Sequence, residues 1–144
     1  MDIFKDLGTD EKKELEGVWT DLDLDSDARF LIAALGNPRY MDALQTLRRE
    51  YREKLVAGGV DEMTARIEVE CGAIADGVLL GWEGLERNGK TYEYSRANAV
   101  ELLRQVPVIR RLIRSHAASL APFRYDIEDD AGAQKNSVAP SAGN

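Results

Sequence analysis

"EGVWTDLDLDSDARFLIAAL", residues 16–35, sets aspartates at every second position between two apolar runs. It admits two readings, a calcium loop between helices or the bend of a β-hairpin. An EF-hand loop takes oxygen ligands at positions 1, 3 and 5, a glycine at 6 and a bidentate glutamate at 12. Counted from Asp21, position 6 is Ser26 and position 12 is Ile32; counted from Asp23, they are Ala28 and Ala34. Neither register closes a site. The flanks are β-branched and aromatic rather than amphipathic at helical spacing. Residues 16–34 therefore read as a hairpin with a solvated acidic turn.

Outward from this ribbon the pattern becomes helical. Asn37 stands where a helix cap belongs and Pro38 suits the first turn. Tyr40, Leu44, Leu47, Tyr51 and Leu55 then make one stripe of a helix reaching about Val56, with "RREYREK" as its wet face. A second helix begins near Asp61 and carries Met63, Ile67, Cys71, Ile74 and Val78, with Gly72 and Gly77 admitting the close approach of a neighbouring backbone. "GWEGLERNGKTYEYS" reads as an irregular connection in which "RNGK" turns between two short extended pieces. Ser95 caps a third helix, and Pro107 opens a fourth with Ile109, Leu112 or Ile113, His116 and Leu120 inward. The expected fold is mainly α (α+β): an N-terminal extension over 1–13, one globular domain over 14–125 holding the hairpin and about four helices, and a disordered acidic, small-residue tail over 126–144.

The 144 residues suffice for one core, and no apolar run approaches the roughly 18 residues of a membrane span. The acidic start is unlike a signal peptide, and the single Cys71 excludes an intramolecular disulfide, so a cytoplasmic location is expected. A net charge of −7 disfavours nucleic acid and anionic lipid as partners. The charge is lopsided: residues 1–27 hold ten acids and three lysines, while 104–124 hold five arginines and no acid. Two meanings fit, faces that attract each other within the fold or between copies, and a basic docking surface built on Arg110, Arg111 and Arg114.

A nucleophile–base set needs a histidine oriented by a carboxylate beside a Ser, Cys or Thr. The one histidine, His116, lies on an apolar stripe and reads as a core or interface residue. Cys71 lies mid-stripe beside Glu68 and Glu70, which oppose thiolate formation. One Cys and one His cannot supply a zinc set, and no phosphate loop is present. No catalytic residue, cofactor or metal ligand is assigned, and the chain reads as a non-enzyme.

Gly81, Trp82, Gly84, Asn88, Gly89, Tyr94, Ser95, Asn98, Ala99, Leu102 and Leu103 form the pattern "GW.G…NGK…YS..NA.ELL", supported by "NPRY" at 37–40. Over residues 14–123 this resembles the tail assembly chaperones of long-tailed bacteriophages, prophages and gene transfer agents. The resemblance implies a small, mainly helical protein of the bacterial cytoplasm, absent from the mature virion, that keeps the tape measure protein soluble. It also implies a longer form made by a −1 ribosomal frameshift that recruits tail tube protein; Gln134-Lys135-Asn136 permits a slippery heptamer. Candidate partner contacts are Trp82, Tyr92 and Tyr94, whose other reading is as anchors of their loop, together with the three arginines. Two other classes remain open: a structural head–tail connector or minor tail protein, and a nucleic-acid-binding helical module.

Overall fold

In the computed structural model, which describes residues 1–126, β1 (Val18–Thr20) pairs antiparallel with β2 (Arg29–Ile32), Trp19 facing Leu31. The bend between them braces itself. Thr20 Oγ1 accepts from Leu22 N–H, Asp21 Oδ1 from Asp23 N–H and Ser26 Oγ from Ala28 N–H, at 2.8–3.1 Å. These local bonds hold Leu22 and Asp23 at positive φ.

A third strand, β3 (Leu79–Glu83), lines the other edge of β2, so the sheet order is β1-β2-β3 with Phe30 opposite Trp82 and Leu31 opposite Gly81. This corrects the reading of Val78 as the end of a helical stripe and of the next residues as irregular. Val78 caps its helix, and the buried run Val78-Leu79 passes directly into the strand. An apolar run this short does not distinguish helix from strand by periodicity. Phe30, Ile32, Leu79 and Trp82 point into the core, whereas Trp19, Leu31 and Gly81 form a row on the opposite face.

The helices cover the inner face. Helix α1 (Ile3–Leu7) and helix α2 (Glu11–Glu16) come first. Residues 9–13, expected as part of an extension, are tied into the fold: Thr9 bridges Arg124, and Asp10 N–H donates to Phe123 O at 2.7 Å. Helix α3 (Pro38–Glu50) starts as expected from Asn37, which is only 4% exposed. Its Oδ1 accepts from Tyr40 N–H, and its Nδ2 donates to Ala34 O at 2.8 Å and Gly77 O at 2.7 Å. The helix breaks at Tyr51, and α4 (Arg52–Leu55) completes the segment.

Helix α5 (Gly59–Gly77) packs along α3. A Cβ on Gly77 would stand 2.4 Å from Tyr40 N, so this glycine sets the closest approach of the two backbones. Met63 is exposed rather than on the buried stripe; Ala65 and Val69 hold that position. The turn from β4 (Glu86–Arg87) to β5 (Lys90–Thr91) runs through Asn88 and Gly89, both at positive φ, as "RNGK" indicates. Ser95 Oγ accepts from Asn98 N–H to start α6 (Arg96–Gln105), and Pro107 opens α7 (Pro107–Ala118). Ile113 is buried and Ile109 and Leu112 half-buried, but Leu120 falls past the end of α7 and is exposed. A 3₁₀ turn, Ala121–Phe123, inserts Phe123 into the interior. The chain is thus mainly helical with an N-terminal hairpin. Of the tail expected to be disordered over 126–144, only Asp126, which pairs with Lys13, is described; the rest and the Gln134-Lys135-Asn136 site lie outside the described residues. Among the described residues no helix is long and apolar enough to cross a membrane.

Candidate partner-binding grooves

Four helical arginines, Arg104, Arg110, Arg111 and Arg114, and two glutamates of α5, Glu68 and Glu70, decide where positive charge is presented. Arg104 forms a two-toothed pair with Glu68 at 2.7 and 2.8 Å, which holds the Glu68 carboxyl below its ordinary value despite the opposing effect of burial. Arg110 is turned inward: its side chain is 11% exposed, its Nη1 donates to Leu103 O at 2.8 Å, and it stands 3.6 Å from Glu70. It is a structural tie between α6, α7 and α5 and offers little free surface. Arg114 approaches the same Glu70 carboxylate at 3.6 Å but stays half-exposed, and Arg111 faces solvent. The partners of these arginines come from α5, not from the acidic first 27 residues.

Arg114 also borders a groove of about 350 Å³ between α3, α4, α5 and α7. Tyr40, Leu44, Leu55 and Val69 line its apolar part. Arg48 of α3, Arg66 of α5 and Arg114 of α7 surround it, with Glu70 as the one acid of the lining. Arg66 is bound to Glu62 one turn earlier, at 2.8 Å. Arg48 makes no ion pair among the described residues. Sequence reasoning missed Arg48 and Arg66, although the signal was present: Arg48 follows Leu44 by four positions, and Arg66 precedes Val69 and Glu70 by three and four, which places each on a shared helical face.

The three candidate aromatics form one cluster. Trp82, 7% exposed, stacks on Tyr92 with centroids 5.6 Å apart and meets Tyr94 edge-on at 5.0 Å. Its Nε1 donates to Tyr92 O at 2.7 Å, while Tyr94 OH donates to Leu79 O at 2.9 Å. Trp82 is therefore a core anchor rather than an exposed contact, and Tyr94 ties the loop to β3. Tyr92 OH donates to Glu101 at 2.8 Å, and Arg87 pairs with the same carboxylate at 2.7 Å while lying over the Tyr92 ring. These bonds, the tyrosine's first, hold the Glu101 carboxyl below its ordinary value; burial and the neighbouring carboxylate push the Tyr92 phenol up. Tyr92 with Leu85, Leu102 and Val106 lines a second groove of about 220 Å³.

The remaining reactive groups are built into the core. Cys71 is buried, and burial, with help from Glu68 and Glu70, raises its thiol above the ordinary range against the pull of Arg110. His116 packs edge-on against Phe123, its Nε2 buried without a hydrogen-bond partner among the described residues. Burial lowers its pKa, only partly opposed by Asp23. Among known families, the model described as YdaY prophage protein matches residues 35–134, which include both grooves and the aromatic cluster. No curated protein and no solved structure matches the chain.

Proposed function

The chain belongs to the YdaY prophage protein family, and on that premise we propose that it is a non-enzymatic tail assembly chaperone of a prophage, binding the tape measure protein in the bacterial cytoplasm and leaving before the virion matures. The observation that carries this reading is the open groove between α3, α4, α5 and α7, apolar within and charged at its border. A tape measure protein is a very long helical chain, and an uncovered apolar stripe on such a helix self-associates. A groove of this kind covers a stripe by the helix-in-groove mode, in which side chains one turn apart insert side by side. The net charge of −7 keeps a coated assembly dispersed. The resemblance carried by Gly81 to Leu103 supports the same reading. A longer frameshifted form extending from the region of Gln134-Lys135-Asn136 would recruit tail tube protein; a gene lacking a slippery heptamer there eliminates that part.

The test is co-expression with the tape measure protein of the same prophage. The tape measure protein is expected in the soluble fraction with the chaperone and in the pellet without it. Equal solubility in both cultures refutes the reading, as does recovery of this chain in purified particles by mass spectrometry, which a virion component requires.

A further inference from the structure

Resting on the chaperone reading, we infer that the groove between α3, α5 and α7 is the docking surface, and that it selects an amphipathic helix whose apolar stripe is flanked by acidic residues. The charge arrangement carries this. In a chain of net charge −7, three guanidinium groups from three different helices, Arg48, Arg66 and Arg114, border one apolar floor, and a single acid, Glu70, stands among them. Glu70 is already engaged by Arg110 and Arg114. Arg48 has no ionic partner among the described residues, and Arg66, itself exposed, has only the partly buried carboxylate of Glu62. A helix flanked by lysines meets this border with like charge, whereas aspartates and glutamates on either side of an apolar stripe meet a guanidinium on each wall.

The floor favours a helix over a phosphate backbone. Leu44, Leu55 and Val69 offer no donor to phosphate, and the acidic remainder of the chain opposes a duplex. At ~30 Å³ of liquid per water, 350 Å³ holds about a dozen waters, room for apolar side chains from two successive turns. Arginine suits such a border, because its planar fork takes carboxylates in two-toothed pairs while its stem covers apolar surface.

The test uses the full chain and overlapping helical-length peptides tiling the tape measure protein of the same prophage, read by fluorescence anisotropy at about 0.1 M and about 0.5 M salt. The peptides that bind are expected to carry an i, i+3/i+4, i+7 apolar stripe with flanking Asp or Glu, and to bind less tightly at the higher salt. Arg48→Glu/Arg66→Glu is expected to weaken them roughly tenfold or more. Lys5→Glu/Lys12→Glu, with the same change in net charge outside the groove, is expected to stay within about twofold of wild type. Thermal melts monitored by circular dichroism exclude a folding defect, and Arg48→Glu alone, which breaks no internal ion pair, serves if the double variant is destabilised. Preferential binding of basic-flanked peptides, unchanged affinity in the arginine variants, or displacement of bound peptide by duplex DNA overturns the inference. If the arginine variants still solubilise the tape measure protein as wild type does, the docking assignment fails and the chaperone reading stands; if wild type neither binds nor solubilises, both fail.

Discussion

Replacing Gly77 with alanine places a methyl group 2.4 Å from Tyr40 N and 2.5 Å from Tyr40 Cα, where ordinary contact begins at 3.4 Å. The obstacle is backbone, so α3 must retreat from α5 by about 1 Å along the wall of the groove. Overpacking of this kind costs about 1–3 kcal/mol. The retreat also stretches the 2.7 Å bond from Asn37 Nδ2 to Gly77 O, and a buried donor left unpaired costs a further ~1–3 kcal/mol. Alanine returns about 1 kcal/mol through helix propensity. The net loss is about 3 kcal/mol, or roughly 10 °C in Tm for a chain of this size. Gly72→Ala is the internal comparison, because its methyl meets Leu47 Cδ1 at 2.7 Å, the tip of a half-buried side chain that can rotate away. It is expected to lie within about 1 kcal/mol of wild type. Urea unfolding followed by circular dichroism measures both. Equal stabilities for the two variants refute the claim that Gly77 sets the α3–α5 approach.

Asn37→Ala removes the cap of α3 and two donations to buried carbonyls, and is expected to cost roughly 2–4 kcal/mol in the same urea assay. Trp82→Ala empties the aromatic cluster and is expected to cost about 3–5 kcal/mol; near-wild-type unfolding by urea contradicts its anchoring role. Iodide is expected to quench the fluorescence of Trp82→Phe, which keeps the 49% exposed Trp19, far more than that of Trp19→Phe, which keeps the buried Trp82. Because burial lowers the folded pKa of His116 below its ordinary 6.5, the unfolded chain takes up the proton first. Stability is therefore full above the unfolded value and falls as pH drops through the folded one. Urea midpoints at about pH 7 and about pH 5 are expected to show this fall, and His116→Leu to diminish it.

The features legible in the sequence are those whose physics is local. Asn37-Pro38 announces its own cap, Asn88-Gly89 its own turn, and the aspartate-rich bend excludes a calcium loop by its register. The third strand was hidden because Val78 and Leu79 extend the apolar run of α5, and only the pairing with β2, nearly fifty residues away, makes Leu79 the start of a strand. The short α1 and α2 carry no long stripe, and residues 9–16 are held by contacts with the far end of the chain. Arg110 and Arg114 lie one turn apart, yet one is nearly buried and the other half-exposed, a difference set by the packing of α7 on α5 and α6. The first groove takes one wall from each of several helices, so Arg48 and Arg66 gained meaning only once α3, α5 and α7 were brought together.

Amide hydrogen exchange on the full chain, with and without the tape measure protein, reads the docking surface directly. Slowed exchange concentrated in α4, the last turns of α3 and the Arg66–Glu70 turn of α5 is the expected outcome, with β1 and β2 unchanged. Protection confined to the Trp19 face of the sheet, or none under conditions where co-expression has shown the tape measure protein to stay soluble, places the partner elsewhere and contradicts the proposed groove.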